Sequence, residues 1–295
     1  MNSISIDLWI ILIGALCSIS CCIPGTWLMV RGELMLGDSI SHAVLPGVAI
    51  AFLLSGSRSP IWMLLGAGLT SLVMILFYRF LNKKAGVDNA SALGITFTTL
   101  FAIGLVLIAQ GASSVDLDPN CVLYGSLELA PLNTVNFYSI SVPKTAIIIF
   151  VVFLFNLLLT VFLYRSWTIV SFDPVFAKCI GLKKWLYDFL LILSTTVTCI
   201  FSFEVVGTIL VVSMLTIPAA TAFIISSNLK KIFFLSILFS VLSSLIGHIL
   251  FAIIPSLLID KDLSTAGGIS VTSGFVFLIV LFTHKKIKRL FFKTE

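Results

Sequence analysis

Asp38 and His42 stand in the run Gly37-Asp38-Ser39-Ile40-Ser41-His42-Ala43-Val44-Leu45-Pro46-Gly47, an acid and an imidazole inside an otherwise hydrophobic segment. Ionisable groups are costly in such a place and are a functional signal by default. On a helix the two lie four residues apart, so both side chains project from one face within reach of a single cation, with Ser41 beside them. A carboxylate and a neutral imidazole suit a first-row divalent ion such as manganese, zinc or ferrous iron, and donor softness alone does not choose among these. Leu45-Pro46-Gly47 then denies the next turn a backbone donor and loosens the helix, as in the broken helices that line substrate paths in transporters. The run thus reads as the place where a small hydrophilic solute crosses a bilayer. The other account of the same residues makes Asp38 the N-cap of a helix starting at Ser39 and His42 a hydrogen-bonded packing residue.

The elements that must position these residues are membrane spans. Hydrophobic residues make up 59% of the chain and charged ones 11%, far from the balance of a soluble domain. The apolar runs are about 18 to 25 residues long, enough for a helix to cross the hydrocarbon core and unlike the short alternating strands of an outer-membrane barrel. Spans are expected at 8–30, 34–54, 60–80, 90–110, 145–164, 186–203, 205–225, 232–254 and 267–283. The expected fold is therefore all-α, a polytopic helical membrane protein of about nine spans, or eight if the turn near Phe203 and Glu204 is a bend or a re-entrant piece. No cleavable leader is expected, and the first apolar run is taken as the first span.

Fifteen of the eighteen Lys and Arg residues fall on the same side of these spans, and only Arg58, Lys144 and Lys261 on the other. The positive-inside rule then puts the amino terminus outside and the carboxyl terminus in the cytoplasm. The net charge of +5 is explained by the anionic inner leaflet and needs no nucleic acid. Of six cysteines, only Cys121 falls outside, so no intrachain disulfide is expected. Cys17 and Cys21 share a helix face but lack a matching ligand pair, which favours packing over a soft-metal site.

Two non-membrane segments are long. The outer one, 111–144, carries Asp116, Asp118 and Glu128, and its Ser-Leu-Glu-Leu-Ala-Pro portion suits a short helix over a pore mouth; it is either a gate and docking surface or a solvated loop. In the inner one, 166–185, Asp173 is placed to cap a short helix that Pro174 starts and Gly181 ends. A capped helix with an apolar face on the cytoplasmic side of a transporter calls for a partner.

The remaining polar residues in or near the spans have competing accounts. Glu204, at the outer end of a span, suits a rim position, and His248, alone on an apolar segment, suits hydrogen-bonded packing better than ligation. Asp188 is expected to pair with Lys183 and Lys184, and His284 belongs to a basic tail. Residues 205–222 are rich in small side chains suited to close helix packing, and Pro218 is expected to interrupt a second helix there, beside the pathway. No phosphate loop, dinucleotide-binding glycine pattern, nucleophile elbow or His-Glu-x-x-His motif is present, so any coupling to ATP must come from another subunit and an intramembrane enzyme is disfavoured.

The run 37–49 closely resembles the signature of the ABC-3 family, the membrane permeases of manganese, zinc and iron ABC importers. The resemblance continues through Phe-Asp-Pro-Val-Phe-Ala-Lys-Cys-Ile-Gly-Leu (172–182) and through Val-Val-Gly-Thr-Ile-Leu-Val-Val-Ser-Met-Leu-Thr-Ile-Pro-Ala-Ala-Thr-Ala (205–222). It implies a permease of the type II ABC importer kind in a bacterial cytoplasmic (inner) membrane. Such a permease pairs with a second copy or a related permease around a central path, receives metal from an extracytoplasmic binding protein, and is driven by cytoplasmic ABC ATPase subunits that hydrolyse the ATP. No permanently bound cofactor is implied, only the transported ion. By the same resemblance Asp38 and His42 contact the metal, while Asp173, Ala177 and Gly181, together with Lys230 and Lys231, lie near the ATPase surface. Ser41, Glu128, Glu204 and Pro218 are candidates for the pathway and gate. The competing reading is an ATP-independent secondary transporter or channel that uses Asp38 and His42 as an ion or proton relay.

Overall fold

The computed structural model describes residues 3–55, 60–111, 127–132, 134–137, 140–255 and 264–291. Nine helical segments among them are long and apolar enough to cross a membrane. In chain order the helices are α1 (Ser3–Arg31), α2 (Met35–Ala43), α3 (Leu45–Ser55), α4 (Pro60–Lys83), α5 (Asn89–Gly111), α6 (Lys144–Phe172), α7 (Pro174–Cys179), α8 (Lys184–Val206), α9 (Thr208–Ile225), α10 (Leu229–His248) and α11 (Thr265–Phe291). A π-helical turn, Ile249–Ile253, prolongs α10. α2 and α3 form one span with a break at Val44.

α1 sits at the centre, packed against α6, α8, α9 and α10, while α11 closes on α9 and α10. α2 to α5 form a second group that joins the first through contacts of α2 and α4 with α8. Small residues let these helices approach. A Cβ on Gly25 of α1 would overlap the Leu215 carbonyl oxygen of α9, and Gly47 of α3 and Gly66 of α4 each occupy the space a Cβ on the other would need. With no hydrophobic driving force between helices in lipid, such close packing carries much of the stability. Gly47→Val is therefore expected to force α3 from α4 at a cost of at least about 1–3 kcal/mol. A lower melting temperature of the purified protein is the measurement, and an unchanged one contradicts this packing account.

Backbone groups freed by proline find partners. Pro24, inside α1, has no N–H to offer the Ser20 carbonyl. That oxygen accepts instead from Nδ2 of Asn156 on α6, at 3.4 Å. Asn156 is fully buried; its Nδ2 also donates to Thr198 Oγ1 at 2.7 Å, and its Oδ1 accepts from Ser194 Oγ at 2.7 Å. One buried amide thus ties α1, α6 and α8 together, with its donor and acceptor both used.

The structure departs from the sequence reading in four places. The outer segment contains a two-stranded antiparallel hairpin, β1 (Thr134–Phe137) with β2 (Ile140–Pro143), in the register Thr134↔Pro143 to Phe137↔Ile140. Its β-branched residues suit a strand, and residues 127–132 form a turn and a 3₁₀ turn instead of a short α-helix. Asp116 and Asp118 lie outside the described residues. Second, α6 runs on as one helix to Phe172, so the first part of the segment 166–185 continues that helix. Third, the break expected near Phe203 and Glu204 falls at Gly207, whose positive φ of 78° separates two full spans. Fourth, α9 runs through Pro218 as one helix.

Candidate functional site

Three residues separate the end of α1 from the start of α2, and Asp38 occupies the first turn of α2. Leu36, Ile40 and Ala43 are buried and fix one face of α2 against the fold. Asp38 and His42 lie on another face, with Oδ1 and Nε2 3.7 Å apart and side chains 42% and 40% exposed. That exposure matters, because a carboxylate and an imidazole in an apolar span are not sealed by their own chain. Phe97 and Phe101, one turn apart on α5, hold the imidazole ring at centroid distances of 5.7 and 5.4 Å. Four residues after His42, Pro46 lacks an N–H for the His42 carbonyl, and the helix breaks between them. Gly104 on α5 leaves room for that break, since a Cβ there would stand 2.9 Å from the Pro46 nitrogen.

Two donors of this kind can hold one divalent ion with open positions left for water or further ligands. No group of three or more His, Cys, Asp or Glu able to hold a metal occurs among the described residues, so one chain contributes a pair and not a closed cage. Among the described residues Asp38 makes no capping bond to α2, whereas Ser39 Oγ donates to the Met35 carbonyl at 2.8 Å. The backbone of Ser41 lies on the same helix between Asp38 and His42; its side chain is outside the described part.

The other candidates stand on other elements. Glu128 Oε1 accepts from the backbone N–H of Thr265 at 2.6 Å and so holds the outer segment to the start of α11. Glu204 is exposed near the end of α8. Pro218 is buried within α9. On the opposite side, Asp173 Oδ1 accepts from the Phe176 N–H at 2.9 Å and caps α7, Pro174 opens it, and Gly181 at φ 80° follows it. Ala177 is buried, but Phe172, Val175, Phe176 and Ile180 are exposed. Lys230 and Lys231 open α10, both exposed, after Asn228, which accepts from the Lys230 N–H.

Sequence reasoning assigned the wrong partners to Asp188. Its carboxylate takes Arg31 Nη1 at 2.8 Å and Arg79 Nη2 at 3.6 Å, joining α1, α4 and α8, and Arg31 Nε also donates to Ser171 Oγ on α6 at 2.9 Å. Arginines on neighbouring helices reach inward, whereas Lys183 and Lys184 precede Asp188 on its own chain and line a cavity of about 850 Å³ beside it. Glu33 also lines that cavity; burial pushes its carboxyl above the usual carboxylate range, against the pull of the Arg31 guanidinium. The cavity lies on the Leu36 face of α2, away from Asp38 and His42. The aromatic cradle was also missed, since Phe97 and Phe101 carry no signal that separates them from lipid-facing residues.

An acid–imidazole pair on a broken helix, set in nine membrane-capable helices, is the architecture of a solute permease. The chain belongs to the ABC 3 transport family, which it matches over residues 4–285. It is 35% identical to the manganese transport system membrane protein MntD of Bacillus subtilis, over 92% of each chain. It is 31% identical to the zinc transport system membrane protein TroD of Treponema pallidum, over 94% of this chain and 74% of that one. Among solved structures it is similar to PsaBC from Streptococcus pneumoniae in complex with Fab, with a TM-score of 0.73 and 28% identity, over 92% of this chain and 90% of that one.

Proposed function

We propose that this chain is the permease of an ATP-driven importer for manganese or zinc, and that Asp38 and His42 hold the ion in transit. The observation that carries the reading is the half-exposed pair itself. Two strong donors, cradled by Phe97 and Phe101 but open on one side, make a site loose enough to release its ion. A second permease, identical or related, would bring a second pair to the axis and cover the open side. Manganese and zinc are the metals for which the quoted relatives are named, and none of these relatives is named for iron. Membership in an ABC family disfavours the ATP-independent transporter or channel.

ATP hydrolysis belongs to a cytoplasmic partner, and the ion is delivered by an extracytoplasmic binding protein. With the amino terminus outside, α7 faces the cytoplasm and offers Val175 and Phe176 to the ATPase, with Lys230 and Lys231 nearby in the same leaflet. In the outer segment, Glu128 would act as the strut of a gate by holding α11. Asp173, Ala177 and Gly181 shape α7 at this same surface, Asp173 and Gly181 exposed on it and Ala177 buried beneath it. Val175→Asp with Phe176→Asp is expected to leave the permease folded and to abolish copurification of the ATPase. Retention of the ATPase by the double variant would remove α7 from the interface. The transport reading is tested by metal accumulation in cells expressing the complete system, in which wild type must exceed a strain lacking the permease.

A further inference from the structure

A second Asp–His pair stands at the other end of the helical layer. His248 closes α10, and its side chain is 2% exposed. Neither ring nitrogen has a hydrogen-bond partner among the described residues, although a buried imidazole of either tautomer has both a donor and an acceptor to satisfy. Nε2 faces Oδ1 of Asp7 on α1 at 3.9 Å, too far for a hydrogen bond, and the Asp7 side chain is 47% exposed. The expected packing histidine is thus buried without the hydrogen bonds that would explain its burial.

The separation suits a shared ion. Two donors each about 2.1 Å from one ion at a tetrahedral angle stand roughly 3.4 Å apart, so a shift of about half an ångström brings both into the shell. Donor types and spacing repeat those of Asp38 and His42, at 3.7 Å. Asp7 connects the buried imidazole to the surface, and Glu128 is near enough to His248 to add to the negative field. Asp7 and the end of α1 that leads to Asp38 are 24 residues apart, about 36 Å of helix, so the two pairs occupy opposite ends of the span. The connection to function rests on the metal-permease reading; the site itself does not.

We propose that Asp7 and His248 form a second divalent-metal site, completed by water, at the uptake end of the permease. The π-helical turn directly after His248 lets the ring shift without unwinding α10.

The test uses the full-length permease in lipid nanodiscs with manganese as the probe. The chain has three histidines, so Asp38→Ala with His42→Ala leaves only His248 and His284. This double variant is expected to retain about one manganese per chain in equilibrium dialysis, with electron spin-echo modulation from an imidazole nitrogen. Adding His248→Gln is expected to remove that modulation. Adding Asp7→Asn instead, at a half-exposed position that folding tolerates, is expected to weaken binding at least tenfold. Absence of nitrogen-coupled manganese in the double variant, or its survival after His248→Gln, overturns the site. The two readings fail separately: manganese lost on Asp38→Ala with His42→Ala reports the first pair, and the coupling that remains reports this one.

Discussion

Replacing Asp188 with alanine should destabilise the permease by about 3–5 kcal/mol, near the lower end because the carboxylate keeps a fifth of its surface. The side chains of Arg31 and Arg79 are 7% and 17% exposed, and Asp188 is the acid that both face. Its loss removes the carboxylate that both largely buried guanidinium groups contact and leaves them only the more distant field of Glu33, which costs more than the pair itself contributes. Arg31 Nη2 is already buried without a hydrogen-bond partner among the described residues, so losing Asp188 adds to a donor deficit that exists in the wild type. Asp188→Asn keeps the shape and an acceptor oxygen and should fall between the two. Thermal melts of purified protein at matched expression measure the effect. A melt of Asp188→Ala indistinguishable from wild type would mean that the arginines are solvated and the cluster is ornamental.

Asp38→Asn and His42→Ala should each reduce metal transport by on the order of a hundredfold while leaving assembly intact. Changes to residues that merely support metal ligands cost about 10–100-fold, and these positions are the proposed donors themselves. With two donors per chain, no third His, Cys, Asp or Glu among the described residues can compensate. Stability should change little, because both side chains are some 40% exposed and fill no core space. Phe101→Ala should show a smaller loss, since it frees the His42 ring without removing a donor. Asp188→Ala is thus expected to impair folding and Asp38→Asn to impair transport. Normal uptake by Asp38→Asn would move the pathway elsewhere.

The spans were legible because lipid imposes length and apolarity on each of them, and the Asp38–His42 pair because charge in such a segment stands out. The cap of α7 was equally legible, since Asp-Pro followed by a glycine two turns on leaves the backbone few choices. Less was visible where the answer depends on a neighbour. Asp188 was matched to the nearest lysines in sequence, but α1 and α4 bring arginines that no local pattern announces. The hairpin at 134–143 is too short to carry a periodic signal. Glycine, and not the charged residue near it, sets the break between α8 and α9, because only Gly207 adopts the required φ without strain. Pro218 failed to interrupt α9 because a helix in a packed bundle can run on after losing one N–H. Phe97 and Phe101 became site residues only once α5 was seen beside α2.

The central claim is that this chain passes a divalent metal under the control of ATP. Its most direct test is manganese and zinc uptake into proteoliposomes holding the permease, its partner ATPase and its binding protein, with hydrolysable ATP, with a non-hydrolysable analogue, and with none. Uptake of one of the two metals is expected with hydrolysable ATP alone, and it is expected to be lost in Asp38→Asn. Metal flux at the same rate without ATP would contradict it and return the chain to the class of passive or ion-coupled transporters.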